Sequence, residues 1–369
     1  MSGEENLVAW IWVSLLGKNN NIIRNKLIKY FGNIEKAWEV CDKHESFTDI
    51  KIEEKLLEKI RNKGICEKAK KIHEEIQKNR YKVITLDSEK YPQNLKNIYS
   101  PPCVLYYLGQ LPVDLNINTD NLISIVGSRR CTAYGKTTAF SFAKKLAENN
   151  VGIVSGLARG IDSEAHKGAL WSDGYTIAVL GSGIDVVYPK ENTKLFNDIA
   201  EKGCILTEFP PETPPLRNNF PARNRIVSGL SRGVLVVEAA KKSGAMITVD
   251  MALEQGKSIY VIPGNIYSEA SEGCNELIKK GAYCVTKYED ILEDLSIDVI
   301  TKSSGSFDDV MLSQNEKLIL KQILNGYFTP DEISDASLLD ISEVLTSLTM
   351  LQFKGILLKD FDGSYKPII

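Results

Sequence analysis

Residues 124–140, SIVGSRRCTAYGKTTAF, set a glycine turn, two arginines and a Gly-Lys-Thr triplet directly behind an apolar run. All these residue types can hold phosphate: glycine lets the backbone approach closely, Arg and Lys bring charge, and a following helix offers free N–H groups. The chemistry would be either nucleotide hydrolysis or plain anion binding. A hydrolytic P-loop needs Gly, four residues and then Gly-Lys-Ser/Thr. Here the position five before Gly135 is Arg130, and the preceding glycine, Gly127, stands eight before it. From Ala133 onward the spacing of apolar residues is helical, so Gly135 falls inside the first turns of a helix. VLVVEA, ending in Glu238, imitates a Walker B strand, but an apolar strand ending in an acid is a common pattern.

Other constellations are weaker. GSGIDV has Gly181 and Gly183 but Val186 where a dinucleotide fingerprint needs its third glycine, so it reads as a tight turn after a strand. Ser155, Ser163, Asp162 and His166 hint at a hydrolase, and Asp162 and His166 share a helix face at i, i+4. No Ser lies in GxSxG, however, and His166 is expected as an exposed or capping residue. Glu208, Glu238, Asp250 and Glu254 are scattered without metal-ligand spacing. Cys274 near a helix start could be an activated thiol, but is expected as a buried structural residue.

The elements that position these residues follow from periodicity. Residues 1–85 read as short helices, with LVAWIWVSLLG, NIIRNKLIKYFG and NIEKAWEVC ahead of a Lys/Glu-rich segment. Gly32-Asn33 has the composition of a helix stop followed by a cap. Residues 86–120 form a connector with a strand at CVLYYLG. From 121 a strand–turn–helix grammar repeats through LISIVG, VGIVSG, TIAVLG, CILTEF, GVLVVEA, SIYVIPG and AYCVT. Helices are expected at 133–149, 160–171, 190–202, 245–256 and 272–281. Continuous apolar strands separated by helices predict an α/β fold with a doubly wound, Rossmann-like parallel sheet, so 86–298 is read as one domain. TKSSGSFDD marks a linker at 299–310. Residues 311–369 read as three helices and a hairpin around Asp362-Gly363, the pattern of a winged helix-turn-helix.

Four expected strands end in glycine or polar turns on one sheet edge: VGSRR, SGLARGID, LGSGIDVVYPKEN and TEFPPETPP. In open α/β sheets that edge is the binding crevice. Gly127 permits close approach, Ser128 offers a hydroxyl, and Arg129 is either a solvated turn residue or a planar cation for phosphate. From Asn121 to Ala147 there is no acid but Arg129, Arg130, Lys136, Lys144 and Lys145. From Thr213 to Val237 there is again none, with Arg217, Arg223, Arg225 and Arg232. Two acid-free basic tracts on one edge suit a polyanion better than a mononucleotide. Phe220 among these cations is either a stacking platform for a base or a buried anchor of its loop. Asn224 and Arg225 could equally form a polar network at a helix start.

Composition bounds the partners. The 369-residue length suggests two or three domains, and the net charge of −3 argues against a globally basic nucleic-acid coat protein. Seven dispersed cysteines without a CxxC pair, and three His, argue against a metal site and fit a reducing cytoplasm. The N-terminal apolar run of about ten residues follows two Glu, which fits neither a signal peptide nor a membrane helix.

The series GSR…YG, VSGLARGIDSEAHKGAL, GSGIDVVYPKEN, TEFPP…FPARNRIVSGLS, VVEAAKKSGAMIT, VIPGN and GCNELIKKGA resembles the DprA (Smf) family of DNA-processing proteins. The motifs stand in family order across about 121–285, and YPQNL with PPCVLYYLG resembles the family's lead-in. The resemblance implies a single-stranded-DNA-binding protein without catalytic activity or cofactor. Such a protein loads RecA onto DNA, including strands covered by single-strand-binding protein, in natural transformation. It also implies a homodimer, a sterile-alpha-motif-like N-terminal domain and a winged-helix C-terminal domain. On matching positions the implied DNA site is Gly127, Ser128 and Arg129, with Lys190 nearby, Arg217 and Phe220 on the loop after the fourth strand, and Asn224 and Arg225. Two stretches depart from the family. LGKNNNII replaces a glycine-rich hairpin turn, and KKSGA at 241–245 replaces RSGS.

Two rival functions remain at this level. The sheet type also resembles nucleotide-processing phosphoribohydrolases, but VIPGN lacks the glutamate of their PGGxGTxxE segment. A regulator could act through residues 311–369, but the presumed recognition helix, DISEVLTSLTM, carries acids that suit a protein contact better than DNA.

Overall fold

The computed structural model describes residues 3–17, 20–42, 54–115, 117–118, 121–299, 312–354, 356–359 and 363–367. Nearly all of the expected 299–310 linker, and Asp362 of the expected hairpin turn, lie outside them. The chain divides into two compact units, Met1–Val299 and Ile300–Ile369.

Among the described residues of the first unit, nine strands form one sheet in the order β1-β2-β6-β5-β4-β3-β7-β8-β9. They are β1 Lys82–Thr85, β2 Val104–Gly109, β3 Leu122–Val126, β4 Gly152–Ser155, β5 Thr176–Val179, β6 Cys204–Thr207, β7 Gly233–Val236, β8 Ser258–Val261 and β9 Tyr283–Cys284. β3 to β9 run parallel, and β2 and β1 extend the sheet antiparallel beyond β6. All residues of β3, β4, β5, β6 and β7 are buried, as the unbroken apolar runs require. The hydroxyls within these runs are satisfied locally. Ser155 Oγ donates to Ile125 O at 2.6 Å, and Thr207 Oγ1 to Ser182 O at 2.8 Å.

From β3 the order runs through β4, β5 and β6 on one side and β7, β8 and β9 on the other. The gap between β3 and β7 is therefore the switch point where a crevice opens at the carboxyl ends of the strands. Helices Ala133–Glu148, Ile161–Trp171, Thr193–Lys202, Asn219–Leu230, Gly244–Glu254 and Glu269–Lys279 connect the strands.

Three elements differ from the sequence expectations. The sheet begins at Lys82, because the β-branched Val83, Ile84 and Thr85 pair with β2 across Thr85↔Val104. The connector strand joins the sheet beside β6, with Tyr106 opposite Thr207. PPLRNNFPARNRIVSG is not all loop, since Asn219–Leu230 is helical. Pro221 is tolerated in its first turn, and Ile226, Val227 and Leu230 are buried.

N-terminal helices Gly3–Leu15, Asn20–Phe31, Ile34–Asp42 and Lys63–Asn79 bring Trp12 and Trp38 edge to face at 5.8 Å. Gly32 takes φ 87°, and Asn33 Oδ1 accepts from Lys36 N at 2.8 Å, so the expected stop and cap form here. The apolar core containing these tryptophans continues without a break through Tyr106 of β2 into Ile205 and Leu206 of β6.

In the second unit, helices Gln314–Leu324, Pro330–Ser337 and Ile341–Phe353 precede an antiparallel pair, β10 Leu357–Lys359 and β11 Tyr365–Pro367. Ser313 and Thr329 each form a capping box at their helix starts. A separate core of Ile319, Ile323, Ile333, Val344, Leu348 and Leu351 holds the three helices together.

Candidate nucleic-acid interface

A cleft of about 600 Å³ opens at the switch point. Arg129, Arg130, Arg217, Phe220, Asn224 and Gly244 are among its walls. Its first wall is the turn after β3. A Cβ on Gly127 would stand 2.6 Å from Ile161 Cγ1 and 2.8 Å from Glu238 O, so only glycine lets the chain turn here. Ser128 N donates to Glu238 O at 2.7 Å, Ile161 N donates to Ser128 O at 3.2 Å, and Arg130 N donates to Ser128 Oγ at 3.1 Å. The turn is thus fastened to β7 and to the helix after β4. Ser128 N and Arg130 N are engaged within the protein, while Arg129 and Arg130 are exposed and the Ser128 hydroxyl keeps a proton to donate.

The Gly-Lys-Thr triplet has a different origin. Glu238 is buried, and its carboxylate accepts from Thr132 N at 2.9 Å and Thr132 Oγ1 at 2.5 Å. Thr132 Oγ1 in turn accepts from Gly135 N at 3.2 Å. A carboxylate and a cap therefore occupy the start of the Ala133–Glu148 helix, where a P-loop would hold phosphate. Gly135 is glycine because a Cβ would run into the Glu238 carboxylate. The helix start that does face the cleft is that of Gly244–Glu254. Ser243 makes no side-chain cap there, the first turn contains no acid, and Ser243 Oγ is buried without a hydrogen-bond partner. Sequence reading missed this wall, although SGA behind two lysines is a legible helix-start signal.

The floor is Arg223. It is buried, Nη1 donates to Gly156 O at 2.8 Å and also to Val179 O, and Nε donates to Asn224 Oδ1 at 3.2 Å. Asp162 accepts from Gly156 N at 3.1 Å, and a Cβ on Gly156 would meet both its carboxylate and the Arg223 guanidinium. Burial lowers the Arg223 pKa to about 10, still charged at neutral pH, and raises that of Asp162 against the pull of Arg223. These two groups brace the β4 and β5 loops. Asn224, its oxygen engaged by Arg223, lines the cleft.

Phe220 lies in the first turn of Asn219–Leu230, half-buried. Its ring packs 5.5 Å from that of Tyr188, and a Cβ on Gly181 would stand 2.8 Å from its Cδ1. The Arg129 guanidinium carbon lies 5.4 Å from its ring centroid. The ring is therefore fastened to the β5 loop and also lies against an exposed cation of the cleft.

The remaining expected residues divide. Arg217 lines the cleft and is exposed. Lys190 is exposed on the Lys190–Asn192 turn, away from the cleft lining, beside Glu191, which pairs with Arg159. Arg225 points out of the cleft. Nη1 and Nη2 each donate to a Glu208 carboxylate oxygen at 2.6 Å, and Nε donates to Ser100 O at 3.1 Å. Among the described residues, no carboxylate pairs with Arg129, Arg130 or Arg217. His166, expected as an exposed or capping residue, is fully buried instead. Nδ1 lies 2.7 Å from Thr176 Oγ1, and burial, reinforced by Arg223, lowers its pKa to about 3. Its helix packs flat on β4 and β5, which the short i, i+4 pattern did not reveal. Cys274 is buried as expected, and burial raises its thiol to about 12.

An open, mostly parallel sheet with its cleft at the switch point defines a Rossmann-like α/β protein. This chain belongs to the DNA recombination-mediator protein A family, whose model matches residues 82–296, from β1 to the end of the sheet. It is 40% identical to protein Smf of Escherichia coli (strain K12) over 282 residues, 74% of each chain. It superposes on the X-ray structure of DNA processing protein A from Streptococcus pneumoniae with a TM-score of 0.63 and 34% identity, covering 77% of this chain and 95% of that one. DNA processing protein A from Helicobacter pylori, solved for its single-stranded DNA binding mode, matches with a TM-score of 0.53 and 32% identity, over 59% of this chain and 96% of that one.

Proposed function

We propose that this chain binds single-stranded DNA across the switch-point cleft and acts as a recombination mediator that loads RecA onto the strand in transformation. The carrying observation is the juxtaposition of Arg129, Arg130 and Arg217, without carboxylate partners among the described residues, with the Phe220–Tyr188 aromatic pair. Phosphates would lie along the arginines and the Gly244 helix start, with the Ser128 hydroxyl donating to one of them. A base would stack on the Arg129–Phe220 platform, which a paired duplex cannot offer. The resemblance to the Helicobacter pylori protein supports this reading.

The reading is of a binding protein rather than an enzyme. The acids nearest the cleft, Asp162 and Glu238, are engaged by backbone N–H groups and Thr132. The further parts of the proposal are a homodimer in the cytoplasm, handling of strands covered by single-strand-binding protein, and four segments. These are a sterile-alpha-motif-like 1–85, the DNA-binding 86–298, a linker at 299–310, and a winged helix at 311–369 that contacts protein.

The test is binding of a dT oligonucleotide, an equal-length duplex and ATP over a salt series, followed by a RecA filament assay on covered strands. Tight, salt-sensitive preference for dT, with faster filament formation, is expected. Selective mononucleotide binding without preference for dT would overturn the reading in favour of a phosphoribohydrolase.

A further inference from the structure

Beside the cleft, past Thr132, lies a second cavity of about 590 Å³, walled by Thr132, Tyr134, Glu238, Gly264, Asn265 and Ser268. Arg130 lines the cleft and Thr132 lines this cavity. Two residues of chain reach at most roughly 7 Å. A strand gripped at Arg129 and Arg130 therefore meets the cavity within a nucleotide or two.

The chemistry of the walls differs from that of the cleft. Among the described residues, neither Lys nor Arg lines the cavity. Glu238 forms its floor, and Glu269 stands in the first turn of the helix that begins at its rim. A phosphate would meet the Glu238 carboxylate without a cation among the lining residues, which favours a neutral, flat, hydrogen-bonding group instead. The walls suit one. The Tyr134 hydroxyl donates to Pro263 O at 3.0 Å, which holds a half-exposed ring in place. Asn275 clamps Gly264 through both its N–H, at 3.3 Å, and its carbonyl, at 3.1 Å. Ser268 makes no capping bond, and the Asn265 amide nitrogen and the Glu238 carboxylate add a donor and an acceptor. On the same loop Ile266 and Tyr267 are 79% and 90% exposed, apolar surface that an arriving base would cover.

We propose that this cavity takes one nucleobase of the DNA strand whose phosphates lie at Arg129 and Arg130, with the base turned in and the backbone out. It rests on the single-strand reading above.

The test uses the full chain and a dT oligonucleotide in which one nucleotide at a time is replaced by an abasic unit. Ser268→Trp fills the cavity, and Tyr134→Leu removes its aromatic wall should the first variant misfold. In the unaltered protein one abasic position should weaken binding roughly tenfold, the scale of a base–aromatic contact. It should differ from the position that Phe220→Ala makes insensitive. Each cavity variant should weaken all-dT binding by a similar factor, flatten the response at that position, and leave the salt slope unchanged. Variants that bind like the unaltered protein would overturn the base site while leaving the arginine cleft standing. So would a loss accompanied by a shallower salt slope, which would mean a phosphate contact. Absence of dT binding by the unaltered protein would instead remove the single-strand reading itself.

Discussion

Arg129 and Arg225 share a charge but not an environment. Arg129 is exposed over Phe220, and Arg225 is clamped by Glu208 and Ser100. Arg129→Ala should weaken dT binding and reduce the magnitude of the log–log salt slope by about 0.7, the share of one phosphate on a single strand. Arg225→Ala should leave that slope unchanged and instead cost roughly 2 kcal/mol of stability, the scale of charge-assisted bonds to a part-buried partner. Urea titrations of both variants beside salt-series anisotropy would separate the roles, and a shallower slope for Arg225→Ala would overturn them. Phe220→Ala should cost roughly 1–3 kcal/mol in binding. It should also lower the melting temperature, since the ring is both platform and anchor. Of the two alternatives open for Phe220 in the sequence, its contacts with Gly181 and Tyr188 supply the anchor, and its position under Arg129 is what a platform requires.

At the scale of elements, the Ala133–Glu148 helix is fastened to β7 by one carboxylate. Gly135→Ala would push a methyl into Glu238 and should destabilise the protein by about 1–3 kcal/mol, as overpacking does. Calorimetric melting checks this, and a melting temperature equal to that of the unaltered protein would contradict it. The Ile161–Trp171 helix carries a titratable group into the core. The folded-state pKa of His166 lies near 3, below its ordinary 6.5, so below about pH 6.5 the unfolded chain takes up a proton that the native state refuses. Stability should hold above pH 7 and fall as the pH drops through 6.5 toward 3, by at most about 1.4 kcal/mol per unit from this residue. His166→Gln should remove that component. Urea midpoints at pH 7.5 and 5.5 measure it, and an equal drop in both proteins would assign the effect elsewhere.

At the scale of the molecule, two cores set what can be removed. Residues 300–369 carry their own core, so a chain of residues 1–299 should remain folded and keep the salt slope of dT binding. Residues 1–81 share a continuous core with β2 and β6, so their deletion would expose Ile84, Leu105 and Tyr106 and should yield an unstable sheet. Size-exclusion chromatography and melting of the two truncations decide this. A well-folded 82–369 chain would mean that the shared core contributes little.

Much of this was legible in the residues. Unbroken apolar strands alternating with helical periods specify a parallel sheet covered on both faces, because every backbone group is paired along the strands and both faces must be dry. The failed P-loop spacing and the glycine turn at Gly127 were readable for the same local reason, since turn geometry depends on a few consecutive residues. The acid-free tracts were legible as a patch, but not as the subset of arginines free to act. Glu208 and Asp162, distant in sequence, come to Arg225 and Arg223 only when β4, β5 and β6 align. The burial of His166 and the arrival of Ser243 in the cleft that Arg129 lines are likewise products of strand order. Local sequence determines which elements form and what each can offer. Only the tertiary structure decides which charges neutralise one another, because Coulomb and burial energies depend on distances between segments far apart along the chain.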